Sequence, residues 1–139
     1  MTSKRAELID ELNRLMAEEM EAFLRYFQIR YRLKGIDRLA ADKFFDAAMK
    51  ETLEHAEMIA KQIRSSGHMP RLTIKLSATG GPVSLQEALS ETLAVEQQAL
   101  EAYKEFLPRV EGDPVLEDFI RKQIAVETEH VQEIAQLLE

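Results

Sequence analysis

Apolar residues recur along this chain at the three- and four-residue intervals of α-helices, in four long stretches. The first carries Leu8, Leu12, Leu15, Phe23, Tyr26 and Leu33 and predicts a helix over about 4–33. Gly35 is placed to stop it, and Asp37 to cap the next. A second helix is expected over about 38–64, with Phe45, Ala48, Ala56, Ile59 and Ile63 on one face. Beyond an irregular stretch, Ser84 and Glu87 have the spacing of a capping box. They open a third helix bearing Leu85, Leu89, Thr92, Ala99, Tyr103 and Phe106. The segment PRVEGDP breaks it, and Asp113-Pro114 read as N-cap and first-turn proline of a fourth helix. That helix carries Leu116, Ile120, Ile124, Val131, Ile134 and Leu138. The pattern predicts one all-α domain over 1–139, a four-helix bundle.

Connection lengths set the expected topology. The first and third loops are short, so the helices they join pair antiparallel. The second connection has roughly 20 residues and reaches about 60–70 Å when extended. A helix of about 26 residues is only about 39 Å long. The chain can therefore return along the bundle and start the third helix at the end where the second began. One long crossover between helices two and three results, with LTIKL expected as a short strand-like segment on the outside.

Each apolar stripe is interrupted near its middle. Leu8, Leu12 and Leu15 lead to Glu19 before Phe23; Phe45 and Ala48 lead to Thr52 and His55 before Ile59. Leu89 and Thr92 lead to Glu96 before Ala99, and Ile120 and Ile124 lead to Glu127 and His130 before Ile134. One such residue means little in a chain that is 31% charged. Four at one level mean more, because buried carboxylates without counter-charge are severely destabilising or must protonate. Two divalent cations would neutralise them. Glu127 and His130, three apart, share a helix face and can hold one ion together. Carboxylates also bridge ion pairs about 3.5–4 Å apart, and mixed carboxylate–imidazole ligation favours iron or manganese, with zinc a common occupant.

Composition narrows the setting. A net charge of −7 argues against generic nucleic-acid binding and suits a protein that attracts cations. Without cysteine the chain has no disulfide, rubredoxin-type iron centre or zinc ribbon. No apolar run is long enough for a membrane span, and MTSKRAELIDEL lacks the apolar core of a signal peptide. A cytoplasmic location is the expectation.

The interrupted stripes resemble the ferritin-like superfamily, in which two helices give a Glu each and two give Glu-x-x-His. The likeness is closest to bacterioferritin and covers roughly residues 5–138. It rests on LNRLMAEEMEAFLRYF, LEHAE, LAVEQQA and ETEH, with GHMPRL after helix two adding to it. The resemblance implies a ferroxidase-type oxidoreductase for iron storage or detoxification. It would bind two iron ions and oxidise Fe2+ with dioxygen or peroxide. Glu19, His55, Glu96, Glu127 and His130 match ligand positions, and Tyr26 matches the tyrosine kept beside the metals.

Three features depart from that family. Thr52 occupies the carboxylate position of helix two, where the pattern of helix four would place a Glu three before the His. Glu51 lies one residue away, about 100° round the helix. It enters the candidate ligand set because i and i+4 also share a face, the alternative being a solvated or channel-lining carboxylate. Leu53 stands where bacterioferritins carry the haem methionine, and Met20, Met49 and Met58 suit packing, so no haem is expected. The sequence ends at Glu139, just after helix four, which favours a homo-oligomer of the dimeric or twelve-subunit kind over a 24-subunit cage. Two rival readings stay open. Thr52 would fit a catalytically weakened ferritin-like subunit or scaffold. A rubrerythrin-like peroxidase or DNA-protecting cage is disfavoured by the absent cysteines and the acidic charge respectively.

Overall fold

The computed structural model describes residues 4–78 and 80–139. Four α-helices follow one another: α1 Lys4–Arg32, α2 Gly35–Ser65, α3 Leu85–Phe106 and α4 Pro114–Leu137. A single 3-10 turn, Leu107–Val110, extends α3. The chain forms the four-helix bundle its periodicity predicts, with one long crossover between α2 and α3.

Local chemistry accounts for most of the boundaries. Ser84 Oγ accepts the Glu87 N–H at 3.1 Å and Glu87 Oε1 accepts the Ser84 N–H at 3.2 Å, so the capping box forms. Asp113 Oδ1 accepts the Leu116 N–H at 3.2 Å, and Pro114 takes the first helical position. The α1–α2 turn differs from expectation. Gly35 adopts φ +56°, the left-handed region open to glycine, and α2 begins there rather than after an Asp37 cap. Asp37 lies inside the first turn of α2, and its carboxylate accepts the Leu85 N–H at 3.3 Å. It ties the start of α2 to the start of α3.

That tie fixes α2 and α3 as parallel neighbours, and the crossover explains how. The Arg71 N–H donates to Asn13 Oδ1 at 2.8 Å, the Lys75 N–H to Glu21 Oε1 at 2.8 Å, and the Val83 N–H to the Arg32 carbonyl at 3.1 Å. The segment thus climbs α1 from its N-terminal half to its end. From 71 to 75 it matches eight helical residues, about 12 Å, or about 3 Å per residue. LTIKL is extended as expected, but among the described residues it forms no strand: its Lys75 amide bonds to a side chain of α1, not to a second extended segment.

The tightest packing is α1 on α2 and α3 on α4. The apolar interior falls into two clusters. One gathers Leu12, Leu15, Ile59, Ile63, Phe106 and Ile120; the other gathers Ala22, Tyr26, Ile29, Phe45 and Ala88. Between them lies a polar layer: Glu19, Thr52, His55, Glu96 and Glu127 are all buried. The interruptions read from the sequence do meet at one level. Among the described residues no helix is long and apolar enough to cross a membrane.

Candidate metal centre

Two groups of ligand-bearing side chains fill the polar layer. Glu19, His55 and Glu127 converge on one point, and Glu96, Glu127 and His130 on another. Glu127 belongs to both. In the first group, His55 Nδ1 stands 3.6 Å from Glu19 Oε2 and 3.5 Å from Glu127 Oε1. In the second, His130 Nδ1 stands 3.7 Å from Glu96 Oε2 and 3.8 Å from Glu127 Oε2. These gaps exceed a good N–H···O hydrogen bond. They suit two donors that share an ion about 2.1 Å from each.

An independent sign agrees. His55 Nδ1 and Glu127 Oε2 are fully buried and have no hydrogen-bond partner. Stranding two such atoms costs of order 1–3 kcal/mol apiece. An ion in each group would satisfy one of them, His55 Nδ1 in the first and Glu127 Oε2 in the second. The donor set, three carboxylates and two imidazoles, fits iron or manganese.

Two tyrosines brace the layer. Tyr26 of α1 donates its hydroxyl to Glu96 Oε1 of α3 at 2.5 Å, and Tyr103 of α3 donates to Glu19 Oε1 of α1 at 2.7 Å. Each tyrosine stands seven residues, two turns, after a glutamate on its own helix and holds the glutamate of the other. The arrangement is a pseudo-two-fold. Burial, and then the adjacent carboxylate, pushes both phenols well above their ordinary value. Both therefore remain donors. Tyr103 was counted in the sequence only as an apolar-stripe residue; the repeat of the Glu19–Tyr26 spacing in Glu96–Tyr103 is the signal that marks it.

Without bound ions, protons on the histidines would counter part of the carboxylate charge. Burial pulls the His55 value down, but attraction to Glu127 and Glu19 outweighs it and raises it to about 10. Glu127 and Glu96 raise His130 to about 11 against burial. Burial and the neighbouring Glu127 lift Glu96 to about 7. Glu127 is held below the usual carboxylate range: burial opposes this, but His130 and His55 prevail. Protons on the two histidines would thus offset part, and not all, of the charge of the three carboxylates.

At the helix-two position neither Thr52 nor Glu51 joins the two groups. Thr52 is buried beside the layer, and its hydroxyl donates to the Ala48 carbonyl at 2.5 Å, a turn earlier in its own helix. Glu51 lies outside both ligand groups. Its Oε2 sits 2.9 Å from Nε2 of His130, the nitrogen facing away from the centre. Of the candidate ligands, Glu19, His55, Glu96, Glu127 and His130 are brought together, with Tyr26 in contact through Glu96, and Glu51 is placed behind His130. Leu53 is partly exposed, Met20 and Met49 pack against the two apolar clusters, and Met58 reaches the surface.

The family model for the ferritin-like domain matches residues 9–139. No curated protein sequence matches the chain. Among solved structures, a ferritin-like diiron-carboxylate protein from Bacillus anthracis is 26% identical, with each chain wholly covered and a TM-score of 0.82. A dodecameric thioferritin from Bacteroides fragilis is 25% identical over 95% of this chain and 84% of that one, with a TM-score of 0.81. The bacterioferritin of Desulfovibrio desulfuricans, 21% identical over 97% and 80%, shares the fold at a TM-score of 0.80. With its four-helix bundle, its central carboxylate–histidine layer and a family match over nearly its whole length, this chain belongs to the ferritin-like family.

Proposed function

We propose that the chain binds two ferrous ions in its polar layer and oxidises them with dioxygen or peroxide, as part of iron storage or detoxification. The observation that carries this reading is Glu127, one buried carboxylate shared by two otherwise separate ligand groups. A carboxylate so placed can join two ions at about 3.5–4 Å, the spacing of paired-metal sites. When bound, two ferrous ions supply the electrons that reduce the oxidant.

The chain's own residues supply orientation. Glu19 with His55, and Glu96 with His130, would each complete one ion's set. Tyr103 and Tyr26 hold the outer oxygens of Glu19 and Glu96, fixing which oxygen faces inward. Glu51 would act behind His130 rather than as a ligand. A carboxylate on the far nitrogen fixes a ligating histidine's tautomer and ring angle. We further propose a homo-oligomer, a dimer or a twelve-subunit cage, in a haem-free cytoplasmic protein. Manganese or zinc would bind the same donors.

Anaerobic titration with Fe2+, followed by air, tests the reading. Two ions per chain, oxygen uptake and a rise in ferric near-ultraviolet absorbance are expected. Binding of two ions without oxygen uptake would favour the second reading, a catalytically weakened subunit or scaffold. Thr52 favours that reading, since it leaves the layer with three carboxylates rather than four.

A further inference from the structure

The α2–α4 side of the layer opens into a cavity of about 140 Å³. His55, Glu96, Glu127 and His130, which would hold the ions, line it. Thr52 stands at its side. Phe44, Ala47 and Ile134 add apolar lining, and the half-buried Glu51 and exposed Glu133 mark its rim. The space is several water molecules large.

We propose that this cavity takes a small monocarboxylate anion, which joins the two ions opposite Glu127. The inference rests on the two-ion reading above. Thr52 and Glu127 are equivalent by sequence, each three residues before its histidine, so a carboxylate at 52 would be the second bridge. No side chain supplies it. The Thr52 hydroxyl is committed to Ala48, and the Glu51 carboxylate to the outer nitrogen of His130. Charge points the same way: Glu19, Glu96 and Glu127 against two dications leave one positive charge in a largely buried layer, where low dielectric magnifies it. Glu51, partly exposed, offsets it only from outside.

The shape selects the class of anion. A lining that joins carboxylate and imidazole groups to apolar side chains fits a carboxylate with a short alkyl tail better than it fits phosphate. Order follows from the rim. Without metal, the layer's carboxylates and those of Glu51 and Glu133 repel an anion; with metal, the layer attracts one. Metal must bind first, and by reciprocity the anion must tighten the metal.

The test uses the full-length protein with Zn2+, which binds without turnover, in chloride buffer with increasing propionate. Calorimetric titration should show zinc affinity rising in proportion to propionate above its own dissociation constant, by about tenfold at ten times that constant. Metal-free protein should show no propionate binding by NMR. Thr52→Glu should bind zinc tightly without propionate and gain nothing from it. Ala47→Leu, which narrows the cavity, should keep the propionate-free zinc affinity and lose the gain. Unchanged zinc affinity in the natural protein overturns the proposal. So does an equal gain in Thr52→Glu or Ala47→Leu, or the same gain from inorganic phosphate. Failure of the natural protein to bind two zinc ions at any propionate concentration would instead remove the two-ion reading beneath it.

Discussion

Truncating Glu127 should disturb both metal positions at once, whereas truncating either histidine should disturb one. The structure makes the asymmetry explicit: Oε1 of Glu127 faces His55 and Oε2 faces His130. A four-ligand zinc site in a small peptide is worth roughly 10–16 kcal/mol, so one ligand carries roughly 3 kcal/mol. Each tenfold change in affinity is about 1.4 kcal/mol, so losing a ligand weakens its ion by roughly 100-fold. His55→Ala should weaken one ion by about that factor and leave the Glu96–Glu127–His130 ion near its normal affinity. His130→Ala should do the reverse. Glu127→Ala should weaken both, so that bound iron falls below one per chain at concentrations that fill the natural protein. The bundle should stay helical in all three variants, because its stability comes from the apolar stripes above and below the layer. Calorimetric titration with Mn2+ or Zn2+, beside circular dichroism, separates the outcomes. A Glu127→Ala protein that keeps either ion at natural affinity would refute the shared-ligand geometry.

Three further outcomes follow from the same geometry. Glu51→Gln should weaken the His130-side ion by about 10–100-fold, the usual effect of removing a ligand's outer partner, and spare the His55 side; equal weakening of both would mean Glu51 acts on the layer as a whole. In metal-free protein, His55 and His130 stay protonated to about 10 and about 11, so their stabilisation is complete below the ordinary histidine value and fades as pH climbs through those folded values. Melting temperature measured with chelator should thus fall between about pH 7 and about pH 11, while zinc affinity rises as ions displace imidazole protons; flat profiles for both would contradict it. Ser84→Ala should cost about 1 kcal/mol by removing the capping box of α3, and lower the melting temperature by about 3 °C, with metal stoichiometry unchanged.

Periodicity carried most of the architecture because each stripe is long and each break is chemically marked. Ser84–Glu87 and Asp113-Pro114 are local signals, read by adjacent backbone, and both formed as read. Asp37 failed as a cap because the preceding glycine enters α2 at positive φ, leaving the carboxylate free to reach a different helix. That long-range bond has no sequence signature. LTIKL has strand-like composition, yet composition does not supply a partner, and a side chain of α1 takes that place. At the centre, the buried polar layer was legible because an interruption repeated in four stripes is improbable by chance. Tyr103 was not, since a tyrosine satisfies the apolar pattern whatever its hydroxyl does. Glu51 lay beyond the resolving power of a helical period: a 100° offset on a long side chain is compatible with facing the ions or facing the back of His130. In the structure the carboxylate lies 2.9 Å from His130 Nε2.

The central claim is that one buried carboxylate joins two ions. A crystal of the protein soaked anaerobically with Fe2+, with anomalous scattering recorded at the iron edge, tests it most directly. The account requires two peaks about 3.5–4 Å apart, one beside Glu19 and His55, the other beside Glu96 and His130, with Glu127 touching both. A single peak, or iron held only by exposed carboxylates while the buried layer stays free of metal, would contradict it.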